Sequence, residues 1–117
     1  MSSVDQADPS AEIVTTVIGF GAHFKGEFTL TGALRIDGTF EGRIDSASKV
    51  IVGESGLVRT NIIANKVVVA GTVEGNIYAP EEVHLLATAK VTGDIVSGNL
   101  IMEPGVIFEG RAKINKI

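Results

Sequence analysis

The sequence predicts an all-β fold: a single-domain parallel β-helix, or β-solenoid, of about six coils with short flanking tails. Three observations predict it. One short phrase recurs along the chain, an alternating apolar strand falls between successive copies, and glycine is abundant while aromatics are scarce. The phrase reads Phe24-Lys-Gly-Glu-Phe28, Phe40-Glu-Gly-Arg-Ile44, Val58-Arg-Thr-Asn-Ile62, Val73-Glu-Gly-Asn-Ile77, Val91-Thr-Gly-Asp-Ile95 and Phe108-Glu-Gly-Arg-Ala112. Its first positions are offset by 16, 18, 15, 18 and 17 residues. A unit this short cannot bury its own apolar face, so the units must stack. An α-solenoid needs repeats roughly twice as long. Fourteen glycines supply the tight corners such coils need, and 5% aromatics leave the core to Val, Ile, Leu and Ala. With 44% hydrophobic and 21% charged residues, the 117-residue chain is one folded domain rather than a disordered segment.

In chain order, residues 1–18 precede the first phrase and are expected to form a flexible N-terminal tail, with the β-helix over 19–113 and a short tail over 114–117. The tail holds a compact apolar stretch, Ile13-Val-Thr-Thr-Val-Ile18, followed by Phe20. Ile13, Val14, Val17, Ile18 and Phe20 either enter a membrane interface or lie as a strand along the first coil. The strand is the simpler expectation. Met1 to Gly19 carries Asp5, Asp8 and Glu12 with no Lys or Arg, which works against anionic lipid. From Phe24 onward the phrases alternate with apolar-x-apolar strands: Leu34-Arg-Ile36, Val50-Ile-Val52, Val67-Val-Val69, Val83-His-Leu85 and Leu100-Ile-Met102.

Stacking these units makes inward columns of Phe24, Phe40, Val58, Val73, Val91 and Phe108, and of Phe28, Ile44, Ile62, Ile77 and Ile95. Outward positions carry a register signal. Lys25, Glu41, Arg59 and Glu74 alternate in sign, Glu27 precedes Arg43, and Asn61 precedes Asn76 as an expected amide ladder. Each exposed pair contributes little energy, but the pattern opposes a slip by one coil. Thr60 replaces the phrase glycine in the third copy. A β-branched residue resists positive φ, so the corner is expected not to need it, with glycine serving close backbone packing.

The ends pose a separate problem. Terminal coils expose unpaired strand groups and an uncovered core, which soluble solenoids usually cover with polar caps. Neither end shows a charged or proline-rich cap, and all five phenylalanines (Phe20, Phe24, Phe28, Phe40 and Phe108) lie toward the ends. They either fill widened end coils or meet another copy. The missing caps favour self-association, with Phe108, Met102 and Ile114 at one end and Phe24 and Phe28 at the other as candidate polymer contacts.

These interleaved F-x-G-x-[IF] and V-x-G-[ND]-I phrases, from about Gly19 to Lys113, resemble the bactofilin family. The resemblance implies a right-handed parallel β-helix core and non-polar filaments that assemble without nucleotide. It further implies a bacterial cytoskeletal scaffold for cell shape, division or the placement of envelope enzymes, working in the cytoplasm with client proteins of the envelope. Some members of that family meet the membrane through a short N-terminal segment, which would put this chain at the inner face of the cytoplasmic membrane.

Other functions find little support. A net charge of −4 and a pI near 5.1 argue against nucleic-acid binding. The absence of cysteine removes disulfides, thiolate metal sites and thiol nucleophiles. No basic, apolar signal segment and no stretch of membrane-spanning length occurs in the sequence. No phosphate-binding loop is present, so neither nucleotide nor another cofactor is expected. Gly53-Glu-Ser-Gly56 misses nucleophile-elbow spacing. One alternative is a left-handed β-helix acyltransferase, suggested by Val52-Gly-Glu-Ser-Gly-Leu57. It needs even 18-residue coils and a histidine base, whereas the offsets vary and His23 and His84 stand apart. No catalytic or metal residues are assigned. A discrete β-solenoid binding module is the other alternative, and it would form a defined oligomer rather than grow with concentration.

Overall fold

A computed structural model describes residues 15–46 and 48–115. The described residues form fifteen strands in six coils. The first coil contributes β1 (Thr15–Ile18) and β2 (His23–Leu30), and the second β3 (Ala33–Ile36) and β4 (Thr39–Ser46). The third contributes β5 (Lys49–Val52) and β6 (Leu57–Ile63). From there each coil has three strands: β7 (Lys66–Val69), β8 (Thr72–Glu74) and β9 (Ile77–Ala79) in the fourth, β10 (Glu82–Leu85), β11 (Lys90–Thr92) and β12 (Ile95–Ser97) in the fifth. The sixth holds β13 (Leu100–Met102), β14 (Ile107–Glu109) and β15 (Ala112–Ile114).

All pairings are parallel and link one coil to the next. One sheet runs β1-β3-β5-β7-β10-β13. The long strands β2, β4 and β6 make a second sheet, which continues as two ribbons, β8-β11-β14 and β9-β12-β15, once the phrase corner separates them. Thr15–Ile18, at the end of the expected tail, is thus the first rung of a sheet, paired with Ala33–Ile36.

Both inward columns expected from the phrases are present in register. Phe40, Val58, Val73 and Val91 are fully buried, as are Ile44, Ile62 and Ile95. The first sheet adds two more columns, Leu34-Val50-Val67-Val83 and Ile36-Val52-Val69-Leu85, also fully buried. Alternation puts every second side chain inside, and stacking a β-branched residue on its like fills the interior without voids. A further buried column is made of small residues, Ser46, Ala64, Ala79 and Ser97. The Ser46 hydroxyl donates to the Gly32 carbonyl (2.9 Å) and that of Ser97 to the Asn99 carbonyl (2.8 Å), so their burial leaves no hydroxyl unpaired.

The uneven offsets have a local cause. Between the first sheet and the phrase strand, coils one, three, five and six make a full turn. It spans Gly19–Ala22, Gly53–Gly56, Leu86–Ala89 and Glu103–Val106, each closed by a hydrogen bond from its last N–H to its first carbonyl. Coils two and four cross the same corner through Asp37–Gly38 and Ala70–Gly71 alone.

The expectation for the phrase glycine is corrected. Gly75 and Gly93 have φ of 150° and 137°, a conformation that L side chains rarely adopt. Close packing applies as well: a Cβ on Gly93 would run into the carbonyl oxygen of Gly75. Thr60 escapes because β6 keeps strict in–out alternation through Val58, Thr60 and Ile62, which buries the residue, whereas Gly42 in the equally continuous β4 is exposed and has φ of 132°. A substitution tolerated in one coil therefore does not reveal the conformation of the others.

Candidate self-association site

The solenoid's two ends differ from its middle in one respect: among the described residues, most of their inward side chains have no coil on the outer side. Phe24, Phe28 and Leu30 at the first coil, and Leu100, Val106 and Phe108 at the last, pack against the core while remaining half-buried. Their counterparts one coil further in are sealed by neighbours on both sides. Phe24, Phe28 and Phe40 form an aromatic layer at the first end, with ring centroids 4.4 Å apart for Phe24–Phe28 and 5.0 Å for Phe24–Phe40. Offset rings of this kind pack well, yet among the described residues no coil lies against the outer face of Phe24 and Phe28.

At the other end Met102 and Ile114 continue inward columns and are 48% and 46% exposed. Phe24, Phe28, Phe108, Met102 and Ile114 therefore all lie in terminal coils, in two groups at opposite ends. Leu30, Leu100 and Val106 belong to the same two surfaces; Leu100 opens the last apolar-x-apolar strand, whereas Leu30 and Val106 carry no distinguishing pattern in the sequence. Leu30 is legible only once it is seen to sit, with Ile114, at the ends of the small-residue column.

Of the apolar stretch before the first phrase, Ile13 and Val14 lie outside the described residues. Ile18 turns into the core, whereas Val17 is 55% exposed and Phe20, in the Gly19–Ala22 turn, is 85% exposed. No helix among the described residues is long and apolar enough to cross a membrane.

The outward charges hold the coils in register. Arg59 bridges both neighbours, reaching Glu41 at 3.8 Å and Glu74 at 3.3 Å. The asparagine column differs from an amide-to-amide ladder. Asn61 Oδ1 accepts from the Asn76 backbone N–H at 3.1 Å, and Asn76 Oδ1 accepts from that of Asp94 at 3.0 Å. Each side chain thus satisfies the next coil's main chain where the corner interrupts the strand-to-strand bonds. His84 faces outward on β10 with Nε2 3.3 Å from Glu103 Oε2, and His23 is exposed on the first coil. Among the described residues no group of acidic or histidine side chains is arranged to hold a metal ion.

Known proteins share this arrangement. A family model described as "Bactofilin: Polymer-forming cytoskeletal" matches residues 16–113. Bactofilin BacP of Myxococcus xanthus (strain DK1622) is 30% identical over 117 residues, all of this chain and 49% of BacP. Bactofilin BacO of the same organism is 33% identical over 103 residues, 88% of this chain and 82% of BacO. The chain thus spans about half the length of BacP and most of BacO. Among solved structures, the Thermus thermophilus bactofilin reconstructed as double helical filaments superposes with a TM-score of 0.81 at 29% identity, covering 86% of this chain and 99% of that one. The cytoskeletal bactofilin BacA, determined by solid-state NMR, gives 0.78 at 34% identity, covering 89% and 99%.

Proposed function

The chain belongs to the bactofilin family, and from that premise we propose that it is a structural protein that polymerises end to end, without nucleotide, into a cytoskeletal filament. The uncovered core cross-section at both ends carries this reading. A terminal coil offers unpaired strand groups and half-buried Phe24, Phe28 and Leu30, or Leu100, Val106 and Phe108, and a second copy supplies what an interior coil would. A contact between ends leaves the far ends open, so growth continues. The filament's role as a scaffold for cell shape, division or envelope-enzyme placement, with envelope client proteins and no catalysis of its own, is part of the proposal. So is a contact with the inner face of the cytoplasmic membrane, for which exposed Phe20 and Val17 are the apolar residues available.

The test is negative-stain electron microscopy of the purified chain without nucleotide, beside Phe108→Arg. Wild-type filaments are expected, and short particles with an unchanged β-type circular dichroism spectrum from the variant, because a charge buried at the contact lacks a partner. A wild type that stays monodisperse at high concentration would sink the filament reading.

A further inference from the structure

One outward column is unlike the rest. On the face carrying β9 and β12, register places Thr29, Asp45, Ile63, Tyr78, Val96 and Lys113 one above another along the solenoid axis. Tyr78 is 50% exposed, and Ile63 and Val96 are partly exposed on either side of it. A shallow groove beside the ring is lined by Pro80, Val96, Ser97, Gly98 and Asn115. Asp45 and Lys113 close the stripe at opposite ends, and neither has an ion-pair partner among the described residues.

We propose that this stripe is the lateral seam between two filaments, where it meets the same stripe of a second, antiparallel copy. The order of residues is self-complementary. A two-fold axis through Tyr78 sets Tyr78 against Tyr78 of the second copy, Ile63 against Val96, and Asp45 against Lys113, each two coils from the axis. A parallel pairing sets Asp45 against Asp45 and Lys113 against Lys113, which like-charge repulsion opposes. The groove gives each tyrosine ring a seat between Pro80 and Val96, with the exposed side chains of Glu81 and Asn115 as its polar lining.

Size fixes when the seam forms. A stable isolated interface buries about 1,600 Å² in total, far more than one stripe of three apolar side chains provides. Repeated along two filaments the same contact multiplies, because each bond formed holds the next pair of stripes together. The seam therefore rests on the end-to-end reading for its strength, but its geometry can be tested apart from it.

The chain has no cysteine, so Tyr78→Cys introduces a single thiol on the two-fold axis, where facing sheets pack about 10 Å apart. A short bismaleimide is expected to link Tyr78→Cys into covalent dimers and to leave Asp45→Cys, two coils from the axis and one coil in from the end, unlinked. Tyr78→Lys is expected to give single filaments of wild-type length, with the paired fraction reduced roughly tenfold or more by the unpaired charge. Asp45→Lys is expected to separate the filaments as well, and Asp45→Lys with Lys113→Asp to pair them again. Dimers from Asp45→Cys would overturn the antiparallel arrangement. No dimers from Tyr78→Cys would overturn the seam and leave the stripe to a client protein. Covalent dimers from a chain that makes no filaments would instead count against the end-to-end reading alone.

Discussion

The phrase glycine shows how much a single position can decide. At Gly93 the backbone needs φ of 137° and the neighbouring coil leaves no room for a Cβ. Gly93→Ala is therefore expected to destabilise the chain by about 1–3 kcal/mol from backbone strain alone, with the steric conflict adding to it. Thr60→Gly, where β6 keeps its in–out alternation, is expected to cost only about 0.5–1 kcal/mol. Urea unfolding in the Phe108→Arg background measures both without coupling to polymerisation. The amino-acid pattern alone points the wrong way here. Thr60 sits in the glycine column, and its tolerance there suggests an ordinary corner in every coil. Only the backbone angles show that the third coil differs from its neighbours at this position.

At the scale of elements, the columns decide stability and the coil's position decides which columns are complete. Ile62 is sealed between Ile44 and Ile77. Ile62→Ala is expected to cost about 2–5 kcal/mol in the same urea assay. Leu100→Ala, at the half-covered last coil, is expected to cost clearly less in the unpolymerised chain. In the wild-type background it is expected to raise the concentration at which filaments appear, measured by sedimentation. The Phe24 and Phe28 columns were legible in the sequence because large apolar residues recur at them in nearly every coil. The column of Ser46, Ala64, Ala79 and Ser97 was not, since small and polar residues look like corner residues until the strands are paired. The stripe through Ile63, Tyr78 and Val96 was hidden for another reason. Each of its residues follows the last position of a phrase, so the repeat does not mark it.

The whole molecule is a stack in which each coil touches only its neighbours, so its length is separable from its ends. β7 and β10 pair with Val69 opposite Leu85, and deletion of residues 70–85 joins Val69 to Leu86 in matching register. The shortened chain is expected to fold and polymerise, with the subunit advance along the filament reduced by one interstrand spacing, about 4.8 Å. Cryo-electron microscopy of the filament repeat measures this. An unchanged repeat would mean that copies do not stack along the solenoid axis. The parallel β-helix and its coil number were legible from the phrase and its spacing. The lateral faces were legible only where the phrase runs: it aligns Lys25, Glu41, Arg59 and Glu74, but the line through Tyr78 falls just past its last position.

The strand pairings described above link each coil to the next along the filament axis, and inside a chain every such link is backed by the covalent backbone winding from coil to coil. Between copies that backing is missing. A filament pulled along its length therefore behaves as a cable with regularly spaced couplings weaker than the rods they join. Under tension it parts between folded chains instead of unravelling them, and the broken ends remain ready to rejoin. Breakage and repair of the proposed filament then need neither refolding nor a chemical energy source.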